Sequence, residues 1–297
     1  MLSGLLRTMR PHQWVKNLVV LAPLVFAREL FDLHSALRAG AGFALFCALA
    51  SAVYVLNDLV DVEADRAHPS KKNRPIASGR VTEAQAKIAL GVLVVIAIAG
   101  GVALGWTFLM AALGYLGLNL AYSFKLKQIA YVDVLCITAG FELRVLGGSF
   151  AAQVPPSAYL LIVIFLAATF LGLGKRAHEL AAMAERAAKS GGEKAATRKV
   201  LGAYDLRVLT PLLYATGSAT VITYVVYTLD PSTMDAFGTR WLAVTTLFTL
   251  IGVLRFTYLV RRKADAESPT DAMLKDPPFL LNLVSWALCV LLVIYFT

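Results

Sequence analysis

Three cysteines in 297 residues, with no Cys-x-x-Cys spacing, leave neither a disulfide framework nor a thiolate metal site. Cys47, Cys136 and Cys289 each lie inside an apolar run and read as small buried hydrophobes. Histidine is also scarce. His12, His34, His68 and His178 are the whole set, and none forms a convincing pair of general base and orienting partner. Charge is short too. Only 16% of the residues are charged and 58% are hydrophobic, against about 25% and about 45–50% in a soluble chain. An ordinary soluble domain and a disordered chain are both disfavoured. Acidic residues are the scarcer sign, 19 against 28 basic ones, for a net charge of +9. In so apolar a chain that excess points to cytoplasmic loops of a membrane protein rather than to nucleic acid. The N-terminus lacks a long apolar core followed by a small-residue cleavage site, so no cleaved signal peptide is expected. Residues 1–14 read instead as a short amphipathic segment on the membrane surface.

What the chain has in abundance is long apolar runs. Nine can be drawn: 15–31, 36–57, 83–104, 106–123, 131–150, 156–175, 208–228, 239–260 and 278–297. At about 20 residues per crossing they predict nine transmembrane helices, the first kinked at Pro23. The expected fold is all-α, one membrane-embedded domain over residues 1–297 with a cytoplasm-facing polar cavity. The polar connections alternate in kind. The N-terminus and loops 58–82, 124–130, 176–207 and 261–277 are basic, whereas 101–105, 151–155 and 229–238 are short and nearly free of lysine and arginine. The first set, with its flanks, holds 23 of the 28 basic residues. The positive-inside rule places that set and the N-terminus in the cytoplasm and the C-terminus outside. The expected location is the cell (inner) membrane. Residues 184–199 read as a solvated cytoplasmic connector.

The chemistry concentrates where the second run ends, at Asn57-Asp58-Leu-Val-Asp61-Val-Glu-Ala-Asp65-Arg66. At about 100° per helical residue, Asp61 and Asp65 fall within about 60° of Asp58. Three carboxylates on one face repel one another and call for a counter-charge. Hard oxygen donors on a short stretch suit Mg²⁺, which completes its shell with water and substrate phosphate. Asp58, Asp61 and Asp65 are therefore the candidate metal ligands. Pairing of an acidic helix end with nearby arginines and lysines is the bland alternative. The chain continues His68-Pro-Ser-Lys71-Lys72-Asn-Arg74-Pro-Ile-Ala-Ser-Gly79. Proline and Gly79 break the helix into a loop. Lys71 and Lys72 supply point charges, and Arg74 a planar fork, for phosphate oxygens. A metal-bound diphosphate explains both charge signs together.

A second candidate, Tyr122-Ser-Phe-Lys125-Leu-Lys127-Gln-Ile-Ala-Tyr-Val-Asp133, joins the fourth and fifth runs. One carboxylate with two lysines leans toward phosphate binding. Gln13, Trp14 and Lys16 beside the first run, and Lys175 and Arg176 at the end of the sixth, are candidates for a lipid phosphate. Snorkelling lysines and a belt tryptophan are the bland alternative there, and Arg176 has Glu179 three residues on to pair with. Glu142 and Arg144 lie inside the fifth run, about 160° apart on a helix, and each needs a cavity or an ion pair, Arg255 being one thinkable participant.

Asn57-Asp58-x-x-Asp61-x-x-x-Asp65 followed by Arg74-Pro-Ile-Ala-Ser-Gly79 resembles the first aspartate-rich motif of the UbiA superfamily of intramembrane transferases. Arg10-Pro-His-Gln-Trp14-Val-Lys16-Asn17, Asp61-Val-Glu-Ala-Asp65-Arg-Ala-His-Pro69, Tyr122-Ser-x-x-Leu-Lys127, Gly174-Lys175-Arg176-Ala-His-Glu179-Leu180 and Ser268-Pro-Thr-Asp271-x-x-Leu-Lys-Asp276 are similar to its polyprenyl-phosphate phosphoribosyltransferase branch. That resemblance implies Mg²⁺-dependent transfer of 5-phosphoribose from phosphoribosyl diphosphate to a polyprenyl phosphate of the decaprenyl type. Aromatic-prenylating branches usually carry a second acidic motif after the fourth span, where this chain has only Asp133. Prenyl transfer to an aromatic acceptor is the rival enzyme reading. A transporter is the non-enzyme rival, and it would place ionisable residues at mid-membrane in interrupted helices rather than at one face. The expected partners are the two substrates and the membrane; a homo-oligomer is left open.

Asp58→Asn, Asp61→Asn and Asp65→Asn should each nearly abolish turnover in a folded protein, as should EDTA on the wild type. Full activity in any two of the variants would remove the proposed metal site.

Overall fold

The computed structural model describes the chain except residues 1, 69–70, 190–198, 263–271 and 274; for 2, 185–189, 199 and 262 the backbone alone is described. Every regular element among the described residues is helical. Eight helices are long and apolar enough to cross a membrane: Leu33–Val60, Glu83–Leu104, Trp106–Phe124, Val132–Ala152, Ala158–Ala184, Leu206–Leu229, Trp241–Arg261 and Pro277–Phe296. Each overlays one of the last eight predicted runs. The first run departs from expectation. Pro11–Leu21 winds as a 3₁₀ helix and Ala22–Phe26 as one short α-helix, with Pro23 in its opening turn rather than at a kink. The sixth run also differs, since its helix continues from Ala158 to Lys189. The predicted connector therefore begins as helix, and residues 190–198 lie outside the described residues, as do Ser70, Ser268 and Asp271 of the predicted motifs.

The chain divides into two compact units, Met1–Phe124 with Gly140–Pro156, and Lys125–Ala139 with Ser157–Thr297. In the first, α1 (Leu2–Met9), the 3₁₀ segment and α2 (Ala22–Phe26) precede α3 (Leu33–Val60), α4 (Val62–Ala67), α5 (Glu83–Leu104) and α6 (Trp106–Phe124). Helix α3 packs on α5, on the 3₁₀ segment and on α1. Helix α7 (Val132–Ala152) contributes its second half. Phe46 of α3 stands edge-on to Phe108 and Tyr115 at 5.7 and 5.5 Å. Gly147 allows the approach, since a Cβ there would lie 2.4 Å from the Phe46 ring. The apolar residues of α5 face outward: Ile88, Val92, Val95 and Val102 are exposed along one stripe, while Ala86, Ala97 and Gly101 turn inward. That inversion suits lipid as solvent, where small residues make the helix contacts. Thr82 and Gln85 close a reciprocal capping box at the α5 start.

Arg38 of α3 locks two helix ends in this unit. Its guanidinium donates to the Leu104 carbonyl at 2.5 Å and to the Ala151 carbonyl at 2.8 Å, at the C-termini of α5 and α7. A cation is favoured there by the helix dipole and satisfies carbonyls the helix leaves open.

In the second unit α8 (Ala158–Lys189) packs on α9 (Leu206–Leu229), and α11 (Thr246–Arg262) on both and on α12 (Pro277–Phe296), with the short α10 (Pro231–Phe237) between α9 and α11 in sequence. Phe170 and Phe256 meet edge to face at 4.9 Å. Gly174 faces Phe256 and Gly217 faces Phe170, each too close to admit a Cβ without movement.

Arg38→Ala should lower the melting temperature of detergent-solubilised protein by several degrees, because two charge-assisted hydrogen bonds of about 1.5–3 kcal/mol each are lost. Arg38→Lys, with one donor group in place of a fork, should recover part of the loss.

Candidate active site

In the first unit α3 ends at Val60 and α4 begins at Val62, so Asp61 marks the junction, with φ −91° and ψ 7°. The turn-by-turn hydrogen bonds continue through it: Asp61 N–H donates to the Asn57 carbonyl and Asp65 N–H to the Asp61 carbonyl, at 3.0 and 2.8 Å. Asp58 and Asp65 therefore face the same way, and both are buried, 2% and 3% exposed. Asp61 is half-buried and takes no part in their ion pairs. The counter-charge in this structure is a pair of guanidiniums. Arg74 donates to Asp65 Oδ2 at 2.6 Å and to Asp58 Oδ1 at 3.1 Å, and Arg10 donates to the same Asp58 oxygen at 2.7 Å.

The loop that delivers Arg74 is fixed by its apolar residues. Pro75 is buried, and Ile76 packs among Val55, Val62, Val81 and Ala86. Ser78 N–H donates to the Arg74 carbonyl, and Gly79 turns the chain at φ 76°, as its type led us to expect. With the backbone anchored on both sides of Arg74, its side chain is directed back to the carboxylates. Arg10 is delivered differently, by a left-handed backbone at φ 54° and ψ 61° immediately before Pro11. That conformation costs a non-glycine residue about 1–2 kcal/mol, so the Asp58 contact and the stacking of Arg10 over Tyr54 at 4.9 Å hold it there. Lys71 and Lys72 are exposed on a short 3₁₀ turn, and Arg66 pairs with Glu63 and Glu83. His68 accepts the Lys71 N–H and belongs to loop structure.

Among the described residues no three carboxylate, histidine or cysteine side chains converge on a common point that would enclose a cation. The donor set nonetheless fits Mg²⁺, which binds through one or two carboxylates and completes its shell with water and phosphate. Asp58 and Asp65 share Arg74, so both carboxylates are present as anions on one side of the loop.

The second cluster lies in the second unit and is built otherwise than its sequence suggested. Asp133 was expected beside Lys125 and Lys127. It is instead fully buried on Arg176, with Arg176 Nε 2.8 Å from Asp133 Oδ2, both 0% exposed. Tyr204 donates its phenol proton to Asp133 Oδ1 and accepts the Tyr131 N–H at 2.8 Å. Burial, and then the bond to Asp133, hold the Tyr204 hydroxyl well above its ordinary pKa, so it stays a donor. Arg176 also pairs with Glu179 on its own helix, as the three-residue spacing allowed. The lipid-phosphate contact expected of Arg176 is thus corrected: a guanidinium enclosed by two carboxylates does not open to lipid. Lys125 is exposed and Lys127 half-buried on the turn that this cluster supports, Tyr122 is half-buried at the end of α6, and Lys175 is half-buried next to Arg176.

Gln13 and Lys16 are half-buried on the 3₁₀ segment, and Trp14 donates to Ser51 at 3.1 Å. Arg144 bonds Asn17, Tyr115 and the Gly140 carbonyl, while Arg255 forms a forked pair with Asp276, so the two arginines do not share a carboxylate. Reasoning from sequence missed Arg10 and Tyr204 as site residues. An Arg-Pro pair just ahead of an apolar run was a signal for Arg10. Tyr204, 71 positions from Asp133, carried none.

Helices with lipid-facing apolar stripes, and two buried clusters of carboxylates on guanidiniums at helix ends, define a multi-pass membrane protein built to hold charge beside lipid. Residues 18–295 match the profile of the UbiA prenyltransferase family. The chain belongs to that family. It is 34% identical to the decaprenyl-phosphate phosphoribosyltransferase of Mycolicibacterium smegmatis, over all of this chain and 94% of that one. The Mycobacterium tuberculosis protein of the same name is 33% identical over 96% of this chain and 92% of its own. A UbiA homolog from Archaeoglobus fulgidus, whose structure holds DMAPP and Mg²⁺, superposes with a TM-score of 0.69 at 18% identity, covering 99% of this chain and 100% of the other. That likeness concerns the fold.

Arg176→Met should destabilise the protein severely, by about 3–5 kcal/mol, because it leaves Asp133 buried without its cation and removes the partner of the half-buried Glu179. Tyr204→Phe should cost less, about 1–3 kcal/mol for one acceptor left short. Thermal unfolding in detergent checks the order; equal losses would contradict the assignment of Arg176 as the central charge.

Proposed function

We propose that the chain transfers 5-phosphoribose from phosphoribosyl diphosphate to a polyprenyl phosphate of the decaprenyl type, releasing diphosphate, in an Mg²⁺-dependent reaction. The observation that carries this reading is full-length likeness to decaprenyl-phosphate phosphoribosyltransferases. The first cluster supports it chemically. Asp58, Asp61 and Asp65, with Asn57 beside them, would hold Mg²⁺, which neutralises charge that builds on a leaving diphosphate. Arg74 and Arg10 lie against the same carboxylates and, with Lys71 and Lys72, would bind the diphosphate oxygens. The bond from the ribose anomeric carbon to the diphosphate breaks, and a phosphate oxygen of the lipid forms the new bond to that carbon. The nucleophile is already an anion, so no side chain need remove a proton. Lys16 and Gln13 in the first unit, and separately Lys175 in the second, are candidates to meet the lipid phosphate. Tyr122, Lys125 and Lys127 remain candidates for substrate phosphate, and Asp133 and Arg176 hold the turn that carries the two lysines.

The Pro11–Phe26 stretch would supply the ninth crossing. Eleven residues at about 2.0 Å and five at about 1.5 Å reach about 30 Å, the thickness of a bilayer's hydrocarbon core. Nine crossings place the two termini on opposite sides, with the basic loops and the aspartate cluster cytoplasmic, at the cell (inner) membrane.

Purified protein with Mg²⁺, labelled phosphoribosyl diphosphate and a polyprenyl phosphate should yield labelled lipid and diphosphate, and should not prenylate 4-hydroxybenzoate from a prenyl diphosphate. Robust prenylation with no phosphoribosyl product would replace this reading by aromatic prenyl transfer.

A further inference from the structure

The 3₁₀ segment Pro11–Leu21 has eleven residues, where such windings rarely exceed three or four. Its outward face is His12, Val15 and Leu18, all exposed. Its inward face, three residues per step, is Trp14, Asn17 and Val20, and each has a fixed contact. Trp14 donates to Ser51, and Asn17 donates to the Cys47 sulfur at 3.3 Å. Val20 is 0% exposed, and its carbonyl comes so near Gly148 that a Cβ there would lie 2.0 Å from the oxygen. Trp14 to Asn17 is three residues, about 6 Å along a 3₁₀ axis. Ser51 to Cys47 is four residues, about 6 Å along an α-helix. The two windings run antiparallel in step, one turn against one turn.

Asn17 is the midpoint of this ladder and is held twice. Its Oδ1 accepts from Arg144 Nε at 2.7 Å. Arg144 is 8% exposed and donates its other groups to the Gly140 carbonyl and the Tyr115 hydroxyl, both at 2.8 Å. A buried guanidinium inside a membrane helix is costly, and no carboxylate pairs with it among the described residues. All three acceptors are neutral. What this costly group secures is Asn17. From Asn17 back to Arg10 is seven residues, about 14 Å as 3₁₀ and about 10.5 Å as α. Relaxation to the commoner winding would draw Arg10 back by about 3.5 Å, the difference of those two lengths, and off Asp58.

We propose that Asn17 and Arg144 are positioning residues for the diphosphate site, holding the Pro11–Leu21 segment in the 3₁₀ winding whose length sets Arg10 on Asp58. This rests on the diphosphate site of the proposed function, though not on which group the diphosphate leaves.

The test measures binding of Mg²⁺ with inorganic diphosphate to the full-length protein by calorimetry, alongside melting temperature. Arg144→Lys keeps the charge but not the three-way bonding. It should weaken binding at least tenfold, in line with the loss of up to about a hundredfold that a misplacement of about 1 Å can bring. Arg10→Ala should weaken binding too, and the Arg10→Ala/Arg144→Lys pair should bind no worse than Arg10→Ala alone, since Arg144 acts through Arg10. Asn17→Ala, which removes the acceptor that Arg144 uses, should weaken binding as Arg144→Lys does, and Asn17→Asp, which keeps that acceptor, should restore part of the loss. Additive losses in the double variant, wild-type binding in Arg144→Lys, or an Asn17→Asp that binds no better than Asn17→Ala would overturn the proposal, as would a wild type that does not bind the probe. A wild type that binds it yet forms no phosphoribosyl lipid would strike the proposed function and leave this inference standing.

Discussion

Two carboxylates that share one guanidinium organise the first unit. Asp58 and Asp65 are buried at the edge of an apolar helix, where isolated charges are costly, and Arg74 meets both of them. The requirement propagates outward. Pro75 and Ile76 must be anchored for Arg74 to point inward. The N-terminal segment must be long enough for Arg10 to reach the shared Asp58 oxygen. A site kept charged beside lipid is thus supported by apolar contacts that carry no charge themselves.

The same arrangement suits an exchange of partners. In the proposed reaction, Mg²⁺ held by the aspartates would leave Arg74 and Arg10 available to phosphate oxygens. The second unit makes the opposite use of a guanidinium. Arg176 is fully enclosed by Asp133 and Glu179, so its charge is committed to structure. Two arginines near acidic residues, alike in sequence, divide by burial: Arg74 is 29% exposed at its side chain and Arg176 is 0% exposed.

Most of the architecture was legible because lipid imposes a strong pattern. Eight of nine apolar runs became helices, seven of them close to their predicted bounds and the sixth continuing to Lys189. The first did not, since an apolar run specifies burial and not pitch, and nothing local distinguishes a 3₁₀ winding that is set by contacts with Ser51, Cys47 and Gly148. The aspartate cluster was legible because its spacing is short and helical. The partners of Asp133 were not, because Arg176 and Tyr204 are 43 and 71 positions away and a chain of this kind has many arginines and tyrosines to choose from. Lys125 and Lys127 are near Asp133 in sequence, but Asp133 is buried on Arg176, while Lys125 is exposed and Lys127 half-buried.

The distribution of arginines looks different once Arg38 has its partners. Five basic residues, Arg28, Arg38, Arg144, Arg240 and Arg255, fall outside the basic loops. Arg38 is committed to two helix ends, Arg144 to Asn17 and Tyr115, and Arg255 to Asp276. Exceptions of this kind are joints, not addresses. In the finished protein the asymmetry between the two sets of loops is sharper than a count of letters conveys. A substitution at Arg38 would therefore register as a loosened pair of helices and not as a change in which way the chain threads the bilayer.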